Sequence, residues 1–250
     1  MNKIEYKSFL EKRKMAVNEL LEYYQQLRLY ESTNSINNID IKSQKRILFL
    51  IRFITKINRL FEHRSLRVLN NQSYYTSEAK VYVCTKSPYA TESLTETIPG
   101  HFNITLEEEN ELSLIEHLLL ANGNLRIQST KDNKDNFIIK NMQENNLLNR
   151  GTEVVFPEKS KSTSLVGTLS DDASSLIIKT GAIIIPVAVE DYEMHKKTLS
   201  VINIGKNLCV GTDKPEHIKD ITKIIKIDLE HLKQEIHESY GDAKVLRKRL

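Results

Sequence analysis

The pattern of apolar and polar positions divides the chain into a helical front and an alternating core. Residues 3–30 place Leu10, Val17, Leu20, Leu21, Tyr24 and Leu27 at helical spacing, and ESTNSINNID (31–40) is a polar loop without periodicity. A second helix is predicted over 43–63, where Ile47, Phe49, Leu50, Phe53, Ile54, Ile57, Leu60 and Phe61 wrap most of the circumference. So broad an apolar surface suits a helix buried on more than one side, or one lying in a bilayer interface.

After the polar stretch NNQSYYTSE the period shortens. AKVYVCT (79–85) alternates as a strand, LSLIEHLLLANG (112–123) reads as a helix stopped by Gly123, and NLRIQS as a short strand. DNFIIKNMQENNLLNRG (135–151) reads as a helix closed by Gly151, and TEVVF (152–156) as a strand. SSLIIKTG (174–181) is a helix with Gly181 past its end, AIIIPVAV (182–189) a buried strand, and LSVINIG (199–205) one more. The final helical pattern, 216–240, carries Ile218, Ile221, Ile224, Ile225, Leu229, Leu232 and Ile236. Strands separated by helices require crossovers, so the expected class is α/β: a mostly parallel sheet covered by helices, behind a helical N-terminal region. The expected division is 1–64 helical, 65–212 the α/β core and 213–250 a C-terminal amphipathic helix packed on it.

Composition narrows the functional classes. At 250 residues and 40% hydrophobic, the chain is long enough for one substantial domain. ILFLI (47–51) is interrupted by Arg52 and Lys56, far short of the ~20 apolar residues of a spanning helix. MNKIEYKSFLEKRK carries charges where the apolar stretch of a signal peptide would lie, and two cysteines make no disulfide framework. The expected location is therefore cytoplasmic, with Cys209 a small buried hydrophobe. A net charge of +3 does not argue for nucleic acid, but basic residues gather at 42–67 and in KVLRKRL. A basic amphipathic helix over 43–63 is suited to peripheral contact with the inner face of a membrane, to docking on a protein partner, or to packing on its own domain.

The candidate chemistry lies in GTEVVFPEKSKST (151–163), where a β-branched strand runs into Phe156, Pro157 and Glu158. A proline there stops the ladder, and the crevice beyond the carboxyl ends of parallel strands is where open α/β sheets place ligands. Glu158 either orients a substrate hydroxyl or caps a local turn, and Lys159, Lys161 or Lys179 would neutralise a phosphate. The order helix, Gly, strand, Phe-Pro-Glu, loop, helix, Gly, strand, Pro-Val-Ala resembles the phospholipid and glycerol acyltransferase superfamily, including the 1-acylglycerol-3-phosphate acyltransferases. The matching residues are Phe156, Pro157, Glu158, Lys159, Ser160, Lys161 and Ser162, then Ile185, Pro186 and Val187, and the resemblance spans about 65–210. It implies a glycerolipid acyltransferase-like fold, substrate contacts from the 156–162 turn, no bound cofactor, and acyl-CoA or acyl carrier protein as donor.

The family's base and orienter are a histidine and an aspartate five positions later, just after the first core strand. Aligned without gaps, Lys86 stands at the histidine and Thr91 at the aspartate. A protonated lysine is no base near neutral pH, and threonine does not pair with an imidazolium. The family's Gly-x5-Arg phosphate motif keeps Gly123 but has Ser129 at the arginine, with Arg126 as the nearby substitute, and Lys159 replaces a glycine of the third motif. His101, in the loop region after the first strand, is the remaining candidate base. A literal His-x4-Asp, His237 to Asp242, follows the Phe-Pro-Glu strand at the end of a helix and is set aside. The leading expectation is a scaffold kept and a reaction lost, a pseudoenzyme that binds a lipid, an acyl carrier or a partner. The alternatives are an active acyltransferase using His101, and an α/β interaction protein docking through basic helices. The histidines show no metal-ligand spacing.

Overall fold

The computed structural model describes residues 41–70, 78–107, 112–128, 133–158, 165–194, 197–208, 217–240 and 244–245. The expected helix over 3–30, Cys209, Ser129, Gly241, and Lys159 to Ser162 lie outside them. Helix α1 (Ile41–Phe61) leads into β1 (Arg64–Leu69), β2 (Lys80–Cys84), α2 (Ala90–Thr97), β3 (Asn103–Glu107), α3 (Leu114–Asn122) and β4 (Leu125–Gln128). Then come α4 (Asn133–Leu148), β5 (Thr152–Val155), α5 (Asp172–Thr180), β6 (Ile183–Met194), β7 (Lys197–Ile204), α6 (Ile218–Tyr240) and β8 (Lys244–Val245).

The strands form one eight-stranded sheet in the order β1-β7-β6-β2-β5-β3-β4, with β8 on β6. β2, β3, β4, β5 and the first half of β6 are mutually parallel, and β1 is parallel to β7. One face buries Leu48, Ile51, Leu94, Ile115 and Leu119 of α1 to α3 against Tyr82, Cys84, Ile104, Val154 and Ile185. The other buries Leu147, Ile177, Ile221, Ile225 and Leu229 of α4 to α6 against Val81, Val83, Val155 and Ile184. Both faces are thus covered, as a parallel sheet requires.

Several sequence signals read differently in three dimensions. The AIIIPVAV strand continues to Met194: its first part pairs with β2, and from Val187 onward it forms an antiparallel hairpin with β7. Pro186 therefore sits within β6. The helix expected to close at Gly151 ends at Leu148, and Arg150 takes the left-handed turn at φ 60°. Gly151 leaves room for the Asn146 side-chain amide, which a Cβ there would displace. Gly123 and Gly181, at φ 81° and 64°, do end their helices in the left-handed conformation. Helix α2 and strands β1 and β3 have no counterpart among the sequence expectations.

Candidate functional site

The carboxyl ends of β3, β4 and β5 converge on a crevice. Phe156 and Pro157 leave β5 and line a cavity of about 170 Å³ between the strand ends and helices α4 and α5. Its other walls include Glu107, Gln128, Lys140 and Lys179. Lys140 pairs with Asp172 at 2.8 Å and Lys179 with Glu144 at 2.6 Å, so both lysines are held by carboxylates at the rim.

Glu158 follows Pro157 and forms an isolated antiparallel bridge with Leu169. Its Oε1 accepts the Gly167 N–H at 2.7 Å and its Oε2 the Lys86 N–H at 3.4 Å. The carboxylate therefore caps the turn after its own strand and also reaches the loop after β2. Lys86 directs its ammonium to Glu107, with Nζ 2.6 Å from Oε2, in a half-exposed pair bridging the ends of β2 and β3.

Thr91 is buried in the first turn of α2, and its hydroxyl donates to Glu116 Oε1 at 2.9 Å. Glu116 is the third residue of α3, and its Oε2 accepts the Ser113 N–H while Ser113 Oγ accepts the Glu116 N–H. This capping box, legible in the sequence as Ser-x-x-Glu, satisfies two otherwise orphaned donors. Glu92, beside Thr91, is buried with no hydrogen-bond partner on Oε2. Burial, and then the neighbouring Glu116 carboxylate, push the Glu92 carboxyl up to about 7.

The start of α2 is pinned from below as well. The Tyr89 N–H donates to Asp191 Oδ2 at 2.9 Å, which caps a helix whose own N-cap side chain makes no such bond. Ser200 donates to Asp191 Oδ1, and the Arg64 guanidinium stacks on the Tyr89 ring at 4.2 Å. Burial raises the Asp191 pKa, and its hydrogen bonds work against that shift. Sequence reading had no signal for Asp191, because the residue it caps is 102 positions away.

The other site candidates lie apart from this crevice. His101 precedes β3, at the amino end of the sheet, and Asn103 of β3 is level with Glu153 of β5. At ~3.3 Å per residue, His101 and Glu158 are separated by about 20 Å along the strands. The His101 ring meets Asn124 at 3.2 Å, and burial, then Lys45, Arg126 and Arg52, lower its pKa. Arg126 lies across β3 from the buried Glu153, and its Nη1 donates to both carboxylate oxygens at 2.9 Å. Burial raises the Glu153 pKa, opposed by Arg126 and by Asn146 and Asn103. The guanidinium is thus held within the sheet. Phe156, Pro157, Glu158, Lys86 and Thr91 are brought to one end, whereas His101 and Arg126 are not. Among the described residues no cluster of three or more histidine, cysteine or carboxylate side chains is placed to hold a metal.

No family model matches the chain. No curated protein matches it. Among solved structures, the crystal structure of the 1-acyl-sn-glycerophosphate acyltransferase PlsC from Thermotoga maritima superposes with a TM-score of 0.60. The match is at 14% identity and covers 90% of this chain and 97% of that one. The mostly parallel sheet, its helical layers and this superposition together give the chain an acyltransferase-like α/β fold.

Proposed function

We propose that this chain is a divergent glycerolipid acyltransferase-like protein. It binds a lipid, or an acyl group presented on coenzyme A or on a carrier protein, at the carboxyl edge, and residues 86 and 91 do no chemistry. The single observation behind this reading is the contrast across the crevice. The Phe156-Pro157 turn keeps an open cavity of about 170 Å³, while Lys86 and Thr91 are committed to Glu107 and Glu116. Acyl transfer needs a base beside the acceptor hydroxyl; an ammonium paired with a carboxylate has no lone pair, and a threonine hydroxyl is too weakly basic to serve. Each buried methylene contributes roughly 0.8 kcal/mol, so an acyl chain can be held without turnover.

Equilibrium binding of palmitoyl-CoA and palmitoyl lysophosphatidate tests the reading. Saturable binding by the natural chain is expected, weakened about tenfold or more when Gln128→Trp fills the cavity, which is about 1.4 kcal/mol. Absence of saturable binding for both ligands would remove the proposal.

A second reading is favoured by α1, whose sequence has no acidic residue. Phe49 is 73% exposed and Leu60 68%, with Leu50, Phe53 and Phe61 also exposed, beside the exposed Lys45, Arg46 and Lys56. Apolar side chains among cations suit the surface of an anionic bilayer, where each cation adds about 1 kcal/mol. No helix among the described residues is long and apolar enough to cross a membrane, so contact through α1 would be peripheral.

A further inference from the structure

The hydrogen-bonding groups around the crevice divide into two kinds. Every charged side chain that lines it is already engaged: Lys140 with Asp172 at 2.8 Å, Lys179 with Glu144 at 2.6 Å, and Glu107 with Lys86 at 2.6 Å. The side chains of Gln128, Ser170 and Ser175 line the same cavity and have no hydrogen-bond partner among the described residues. The wall therefore leaves one amide and two hydroxyls unengaged, all neutral and all able to donate and accept.

An anion fits this wall poorly. It would have to draw an ammonium away from the carboxylate that holds it, and it would meet the carboxylates of Glu107, Glu144 and Asp172. The amino end of α5, where an anion would otherwise be favoured, already carries the Asp172 carboxylate in its first turn. An uncharged hydroxyl meets no such conflict, because it accepts from the lysine and donates to the carboxylate of one pair without separating them. Size sets a further limit. A cavity of about 170 Å³ is smaller than the roughly 300–1,000 Å³ of a site for a drug-sized ligand, so it encloses one small group. Pro157, Ala173 and Leu176 offer that group an apolar contact for its carbon–hydrogen face.

We propose that the crevice binds an uncharged, hydroxyl-rich group the size of one sugar ring, as the head group of a glycolipid or as a free sugar. Gln128, Ser170 and Ser175 supply its direct hydrogen bonds. The Lys140–Asp172 and Lys179–Glu144 pairs each join α4 to α5 and present a donor beside an acceptor, which suits neighbouring hydroxyls. The proposal rests on the reading of the crevice as the ligand site, and narrows the ligand there to a neutral group in place of a phosphate. A ligand that also carries a phosphate would keep it clear of this wall.

Saturation-transfer NMR on the purified full chain tests it with methyl glucoside, methyl galactoside, methyl mannoside and myo-inositol. At least one is expected to saturate with a millimolar Kd, and excess inorganic phosphate should not displace it. Gln128→Trp should weaken that binding about tenfold or more, and Ser175→Ala about 2- to 10-fold, the loss of one hydrogen bond. His231→Ala, at an exposed position on α6, should leave it intact, with melting curves checking each fold. Flotation with phosphatidylcholine vesicles, with and without a diacylglycerol glycoside of the sugar that binds, separates the two sources. Enrichment on the glycolipid that free sugar competes away identifies a head group, and equal flotation on both identifies a free sugar. No saturable sugar, displacement by phosphate, or undiminished binding in a folded Gln128→Trp would overturn the proposal. Palmitoyl-CoA or palmitoyl lysophosphatidate binding that survives such a result would leave the lipid reading standing, whereas loss of all binding would remove both.

Discussion

The Thr91 hydroxyl donates to Glu116 Oε1 at 2.9 Å, joining the first turn of α2 to the first turn of α3 in a buried setting. The position that resembles an orienting aspartate is therefore a structural tie, and the capping box of α3 continues it.

Introducing the histidine and aspartate of the resembled family should fail for that reason. Thr91→Asp places a third carboxyl beside Glu92 and Glu116, and an unpaired buried charge costs several kcal/mol. The Lys86→His/Thr91→Asp double variant is expected to lose about 2–4 kcal/mol in urea denaturation. It should show no gain in acyl transfer. A stable, more active double variant would contradict the assignment of Thr91 to structure.

Glu92 gives stability a pH dependence of unusual sign. The folded chain holds its proton up to about pH 7, whereas the unfolded carboxyl releases it near 4.5. The folded state thus binds more protons between those values, and this contribution to stability falls as pH rises through the window, by ~3 kcal/mol at most. Denaturation at pH 5 and 7.5 should show a difference that shrinks in Glu92→Gln.

The pairing of Arg126 with the fully buried Glu153 predicts asymmetric costs. Arg126→Met leaves the carboxylate unpaired and should cost about 3–5 kcal/mol, while adding Glu153→Met should recover much of it. A double-mutant cycle measures the coupling, and additive losses would count against the pair as the main determinant.

Helix α1 separates packing from docking. Phe49→Ser with Leu60→Ser should leave the melting temperature nearly unchanged, because both side chains are mostly exposed. Flotation with anionic liposomes should fall sharply and weaken as salt shortens the Debye length from ~10 Å at 0.1 M to ~3 Å at 1 M. Leu48→Ala, by contrast, removes a core side chain 1% exposed and should cost about 2–5 kcal/mol.

Local periodicity was enough to read the α/β alternation, the helix ends at Gly123 and Gly181 and the turn after β5, since each signal lies within a few residues. Besides the two-residue β8, three elements escaped because their surfaces are polar for tertiary reasons. β1 is an edge strand bearing Arg64, Ser65 and Arg67. β3 turns Asn103 and Thr105 toward Glu153 and Gln143. α2 buries Thr91, Glu92, Ser93 and Thr95, leaving little apolar periodicity. The sequence by itself determined which residue types stand at positions 86, 91 and 156–158. Only the tertiary structure decided that His101 lies at the amino end, that Asp191 caps α2 from 102 residues away, and that His237 meets Glu190 across 47. Those relations depend on where crossovers return the chain, and no local pattern encodes them.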